Sequence, residues 1–219
     1  MRIYIRYCLY LIVLIGYYPA YAGSYDDFFD AIRRDEAPVV RGLLKRGFDP
    51  NTVNPRGEHG LILALRERSL KVIDALLESP LTRVEVRTAQ DESPLMLAAL
   101  RGHFELCKTL IARDADVNKP GWTALHYAAT GGHIAIIRLL LDNHAYLDAA
   151  SPNGSTPLMM AAKYGTDEAV RLLLDAGADP ALKNAQGLTA IDFASQVQRD
   201  DIVQIIAAAV RAQRAKGTW

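Results

Sequence analysis

The residues of this chain that could do chemistry are five histidines, two cysteines and a scatter of serines and carboxylates. Histidine would act as a metal ligand or as a general base near neutral pH. His103 and His133 each follow a glycine, Gly102 and Gly132, and stand 30 residues apart. In equivalent places on neighbouring helices their backbones would lie about 8–10 Å apart. Two imidazoles sharing a metal each need a nitrogen at roughly 2.0–2.1 Å, so the pair is read as structural. His144 falls where a helix should end, a place histidine tolerates better than bulkier residues. His59 lies on the turn side, and its role stays open.

The other candidates are no stronger. Cys107 would be a nucleophile only as a thiolate. Its neighbours Leu106, Leu110 and Ile111 put it on an apolar helix face, so a buried, inert thiol is expected. No Gly-x-Ser-x-Gly string occurs, and Ser93 is explained as a helix N-cap. Gly131-Gly132 lacks phosphate-loop spacing and reads as a helix terminus. Asp114, Asp116, Asp142 and Asp148 recur because turns recur, not as catalytic pairs. No catalytic residue, metal site or cofactor is expected. An enzyme or metal protein using His59, His126 or Cys107 is the alternative to that expectation.

The elements that would position these residues are written in the stretch from Thr123 to Pro180. It contains two lines, TALHYAATGGHIAIIRLLLDNHAYLDAASPNGS and TPLMMAAKYGTDEAVRLLLDAGADPALKNAQGL, which begin 33 residues apart. Thr156 is an N-cap candidate with Pro157 at the first helical position. Leu158, Ala161 and Ala162 follow at i, i+3 and i+4, an apolar stripe kept thin by its alanines. Gly165 ends that helix. A second helix is predicted from Asp167 to Asp175, with Gly177 supplying a left-handed terminus. Asp179-Pro180 and Asn184 to Gly187 supply turn chemistry before Thr189 starts again. A helix pair this small cannot bury enough surface alone, so repetition is a stability requirement.

This pattern resembles the ankyrin repeat. The resemblance implies an all-α ankyrin-repeat solenoid of about six helix-turn-helix units with projecting β-turns. The units are expected near 26–58, 59–92, 93–122, 123–155, 156–188 and 189–213, within a domain of 23–219. Two departures stand out: Arg68 replaces a helix-ending glycine, and the unit from Ser93 is only 30 residues long. The shortfall lies in the turn Asn118-Lys119-Pro120-Gly121-Trp122. The family places a histidine at the position of His126, with the task of hydrogen bonding to backbone. It also implies binding to another protein and brings no catalytic activity.

Residues 1–22 have Arg2 and Arg6, an apolar run from Cys8 to Tyr18, and Ala20-Tyr21-Ala22. That is the layout of a secretory signal peptide cleaved after Ala22. The run is short against the ~20 residues that span a bilayer, which makes an uncleaved anchor the weaker reading. Cleavage would leave Cys107 alone and rule out an intramolecular disulfide. The 25 Lys+Arg and 25 Asp+Glu cancel, giving no sign of a nucleic-acid or membrane-surface partner. A monomer is expected, in the bacterial periplasm or secreted from a cell without one.

The positions that vary in the family map here, in the turns, to Arg56, Glu58, Gln90, Glu92, Trp122, Asn153, Ser155, Gln186 and Leu188. At the first-helix ends they map to Arg66, Glu67, Arg101, Thr130, Lys163, Tyr164 and Gln196. These sixteen residues are the expected partner-binding surface. Trp122 and Tyr164 are of the types most enriched at binding hot spots. Trp122 has two readings: a binding anchor, or a side chain folded back to fill the space of the missing turn residues. The functional expectation is an adaptor or accessory factor for a periplasmic protein. The alternative is an immunity-type inhibitor that neutralises a toxic effector there.

Overall fold

The computed structural model describes residues 23–215; the expected signal peptide, residues 1–22, lies outside them. The chain divides into two compact units, Met1–Val86 and Arg87–Trp219. The described residues are helical, joined by turns, and contain no strand beyond an isolated bridge between Val53 and His59. The architecture is all-α, as the 33-residue period implies.

The first unit holds α1 (described over 23–33), α2 (Ala37–Lys45), α3 (Gly60–Glu67) and α4 (Leu70–Leu77). Phe28, Ile32, Val40, Leu43, Leu61, Leu65, Ile73 and Leu76 form its buried core. Phe28 packs on Phe29 and Phe48, with ring centroids at 5.1 and 4.8 Å. α2 packs on α4, and Arg41 joins them by a bidentate pair to Glu78 at 2.8 and 2.7 Å. Arg68 occupies the left-handed region at φ 61° and ends α3 without a glycine.

The second unit holds four helix pairs: α5 (Pro94–Leu100) with α6 (Phe104–Ala112), α7 (Ala124–Gly131) with α8 (Ile134–Asp142), α9 (Pro157–Tyr164) with α10 (Asp167–Asp175), and α11 (Ala190–Ser195) with α12 (Asp200–Ala215). The first helices of the pairs pack in chain order, α5 on α7, α7 on α9 and α9 on α11, and the second helices make a parallel layer. Caps explain where three of the pairs begin: Ser93, Thr156 and Thr189 accept from the N–H three residues on, whereas at Thr123 the main-chain N–H donates to His126 Nδ1. Ala98-Ala99, Ala128-Ala129 and Ala161-Ala162 are wholly buried. These small faces let adjacent first helices approach closely. At Gly165 a Cβ would come within 2.4 Å of the Ala129 carbonyl oxygen, so only glycine fits.

The second helices α6, α8 and α10 run out into left-handed residues, Asp114 (φ 64°), His144 (φ 62°) and Gly177 (φ 100°). Beyond the first two a side chain reaches forward to the next turn. Asn118 donates to the His144 carbonyl and accepts from the Tyr146 N–H, both at 2.7 Å. Asn51 does the same in the first unit with Leu81 and Arg83, at 2.9 and 2.8 Å. Asp148 takes this place one repeat later and accepts from the Asp179 N–H at 3.2 Å with both oxygens.

The full-length turns share one closure. In each of Asn54–Glu58, Thr88–Glu92, Ser151–Ser155 and Asn184–Leu188 the first residue donates its N–H to the carbonyl of the fifth, at 2.9–3.0 Å. The side-chain oxygen of that first residue accepts from the N–H of the fifth. The side chain of the first residue thus ties each turn shut, joined in Ser151–Ser155 by Asn153 Oδ1 at 3.2 Å.

Candidate protein-binding surface

Across the first helices of the second unit runs a concave, mostly apolar pocket of about 250 Å³, lined by Leu100, Trp122, Tyr127, Thr130 and Met160. The helix period places four of them, and Trp122 enters from the turn before Thr123. Tyr127 and Met160 each stand four residues after their N-caps, Thr123 and Thr156, and Thr130 and Leu100 stand seven after Thr123 and Ser93. Positions four and seven share one face of a helix.

Three of the walls are held from behind. Trp122 is half-buried and meets the His126 ring edge-on, with centroids at 5.1 Å and an interplanar angle of 75°. The ring therefore packs locally and also lines the pocket, so the two sequence readings are not exclusive. Tyr127 donates its hydroxyl proton to Glu92 Oε1 at 3.1 Å. Burial, helped by the Glu92 charge, pushes that hydroxyl up to about 12, so it stays a donor. Thr130 Oγ1 donates to the His126 carbonyl at 2.8 Å.

His126 is fully buried beneath this surface. Its Nδ1 accepts from the Thr123 N–H at 3.2 Å, which places the ring proton on Nε2, where it donates to the Ser155 carbonyl at 2.9 Å. Burial lowers its pKa to about 4, so it stays neutral. Both nitrogens are thus committed to backbone, the task the family resemblance implies. His133 Nε2 bonds the Leu100 carbonyl at 3.0 Å. Burial pushes the Cys107 thiol up to about 12, far from thiolate reactivity. Among the described residues no group of three or more His, Cys, Asp or Glu side chains is arranged to hold a metal. No helix among them is long and apolar enough to cross a membrane.

The sixteen expected surface residues are distributed unevenly. Arg56, Glu67, Gln90, Asn153, Tyr164, Gln186 and Gln196 are exposed. Glu58, Arg66, Glu92, Arg101, Trp122, Thr130, Lys163 and Leu188 are half-buried. Ser155 is corrected: it is 1 % exposed, with its N–H on Ser151 Oγ and its carbonyl on His126, and offers no side chain to a partner. In the first unit, Glu58 pairs with Arg66. In the second, Trp122 and Thr130 line the pocket and Glu92 holds its Tyr127, while Lys163 donates to Gln196 at 3.1 Å and sits 5.4 Å from the Tyr164 ring centroid. The sequence reading missed Leu100, Tyr127 and Met160. Their spacing from the N-caps was the available signal.

Comparison with known proteins gives the same framework. A model of ankyrin repeats in three copies matches residues 28–120 and 61–151, and a model of many copies matches 144–194. The nuclear factor NF-kappa-B p105 subunit of Gallus gallus is 32% identical over 135 residues, covering 58% of this chain and 14% of that protein. Ankyrin repeat and SAM domain-containing protein 6 of Mus musculus is 31% identical over 111 residues, 49% of this chain and 13% of that protein. Ankyrin repeat and KH domain-containing protein 1 of Homo sapiens is 36% identical over 102 residues, 44% of this chain and 4% of that protein. The chain spans only a small fraction of the length of these relatives. With the repeat models matching well over half of its residues, the chain belongs to the ankyrin-repeat family.

Proposed function

We propose that this chain is a non-enzymatic recognition module that seats a large apolar side chain of another protein in the pocket of Leu100, Trp122, Tyr127, Thr130 and Met160. The observation that carries this reading is the pocket itself. At about 250 Å³ it is smaller than the roughly 300–1,000 Å³ typical of small-molecule sites. It matches an anchor side chain, and its walls include a tryptophan and a tyrosine fixed from behind, the preorganisation that hot spots need. Family membership supports a protein as the ligand. The finer reading is an adaptor or accessory factor exported to the periplasm, supported by the basic, apolar and small-x-small layout of residues 1–22.

Capture from a periplasmic extract of the native host tests the first part. Trp122→Ala and Tyr127→Ala should each weaken the captured complex by more than tenfold, since truncating a hot spot costs about 2 kcal/mol or more. Arg171→Ala, on the exposed face of α10 and outside the sixteen surface residues, should leave it unchanged. Unchanged binding by both groove variants, with melting temperatures near wild type, sinks the reading. A complex that blocks a toxic effector would move it to immunity-type inhibition. Sequencing the N-terminus of the tagged full chain tests export: the expected first residue is Gly23, and an uncleaved cytosolic product refutes it.

A further inference from the structure

The turn 118–122 lacks the three residues that the other repeats use for closure, yet it carries Trp122 into the pocket wall. Lys119 is 6% exposed, and a buried ammonium is tolerated only when it is paired and bonded. Its Nζ donates to the Pro120 carbonyl at 3.0 Å and to the Trp122 carbonyl at 3.1 Å. It also forms a close ion pair with Asp91 Oδ2. An ammonium has three protons, and here each has an acceptor. The two carbonyls flank Gly121, which sits at φ 80°. The polarity is the reverse of the full-length turns: there a side-chain oxygen gathers backbone N–H groups, and here a side-chain cation gathers carbonyls.

The anchor of this strut is the preceding turn, Thr88–Glu92. Asp91 takes Lys119, and its neighbour Glu92 takes the Tyr127 hydroxyl. The two aromatic walls of the pocket are therefore registered to adjacent carboxylates on one closed turn. The Lys119 bond holds the Asp91 carboxyl below the usual carboxylate range.

We propose that Lys119 is the positioning residue of the groove: by pinning the Trp122 carbonyl and tying it to Asp91, it holds the indole in the pocket wall in place of the missing turn residues. Its bearing on recognition rests on the function proposed above. Its structural content does not, and the test separates them.

Trp219→Phe leaves Trp122 as the sole tryptophan, so its emission and its quenching by acrylamide report on this wall alone. In that background Lys119→Met should red-shift the emission and raise the quenching constant severalfold. Helical circular dichroism should be unchanged at the same temperature. Asp91→Asn, which removes one of three partners, should give a smaller change in the same direction. Lys119→Gln, whose amide still donates to carbonyls, should recover part of the wild-type signal. A folded Lys119→Met variant with wild-type emission and quenching overturns the proposal. If that variant does not fold, unchanged Trp122 quenching in Asp91→Asn overturns it. If Trp122 loosens as expected while Trp122→Ala captures its partner undiminished, Lys119 positions the indole and the groove reading is the one that fails.

Discussion

At the scale of single residues, His126 and Cys107 show how burial turns reactive groups into structural ones. His126 has its folded pKa lowered to about 4 from 6.5, chiefly by burial. The unfolded chain therefore binds a proton in that window while the folded chain does not. Stability from the neutral ring is complete above pH 6.5 and is lost as pH falls through the window, by about 3 kcal/mol in all. Urea denaturation at pH 7 and pH 4.5 should show this loss, and His126→Gln should flatten it. If the slope persists in that variant, other groups carry the pH dependence. Cys107 should react with a thiol reagent only at the rate of unfolding, since burial opposes thiolate formation. Rapid labelling of the native protein would contradict its placement. The burial of Cys107 was legible from its apolar neighbours. The burial of Ser155 was not, because it stands in the same place before the N-cap as the half-buried Trp122 and Glu92. What differs is the partner: Ser155 lies over His126 and is small enough to be covered.

At the scale of elements, the forward-reaching bridge between successive turns offers a built-in comparison. Asn118 both donates and accepts, whereas ionised Asp148 can only accept. By position, the carbonyl that an amide at 148 would meet is that of Gly177. Burial, and after it the charge of Asp179, raise the Asp148 pKa, while the Asp179 N–H opposes them. A raised folded pKa means that ionising the half-buried Asp148 costs stability, which is lost as pH rises through that value, although the Asp179 N–H bond itself favours the ionised form. Asp148→Asn should therefore raise the melting temperature at pH 7 and gain less at pH 4. Asn118→Asp should cost about 0.5–1.5 kcal/mol at pH 7 and recover part of it in acid. A gain from Asp148→Asn that is equal at both pH values would remove the bridge from the account. Packing between first helices makes a separate demand at Gly165, where alanine would press on the Ala129 carbonyl. Gly165→Ala should destabilise by about 1–3 kcal/mol, readable by urea titration. Helix limits such as Asp167–Asp175 were legible in the sequence because caps, proline and glycine write them locally. The pocket was not, since Leu100, Tyr127 and Met160 come from three helices and meet only once those stack.

At the scale of the molecule, each compact unit buries its own core and the second unit is a chain of nearest-neighbour contacts. Within it α7 and α9 have a first helix packed on either side, whereas α11 closes the row. Amide exchange should be slowest in α7 and α9 and faster in α11 and the end of α12. Uniform protection across the unit would argue against a stepwise stack. The all-α class was readable from a 33-residue period, because the period is itself the packing rule. The identity of a partner was not, because the residues proposed to carry recognition are ones the period leaves unspecified. The turn closures carry this further. In Asn54–Glu58, Thr88–Glu92 and Asn184–Leu188 the central residues Arg56, Gln90 and Gln186 contribute only a main-chain N–H to the knot. A display library randomised at those three sites should retain its melting temperature while sampling new specificities, so the same architecture that fixes the ladder leaves its rungs open to selection.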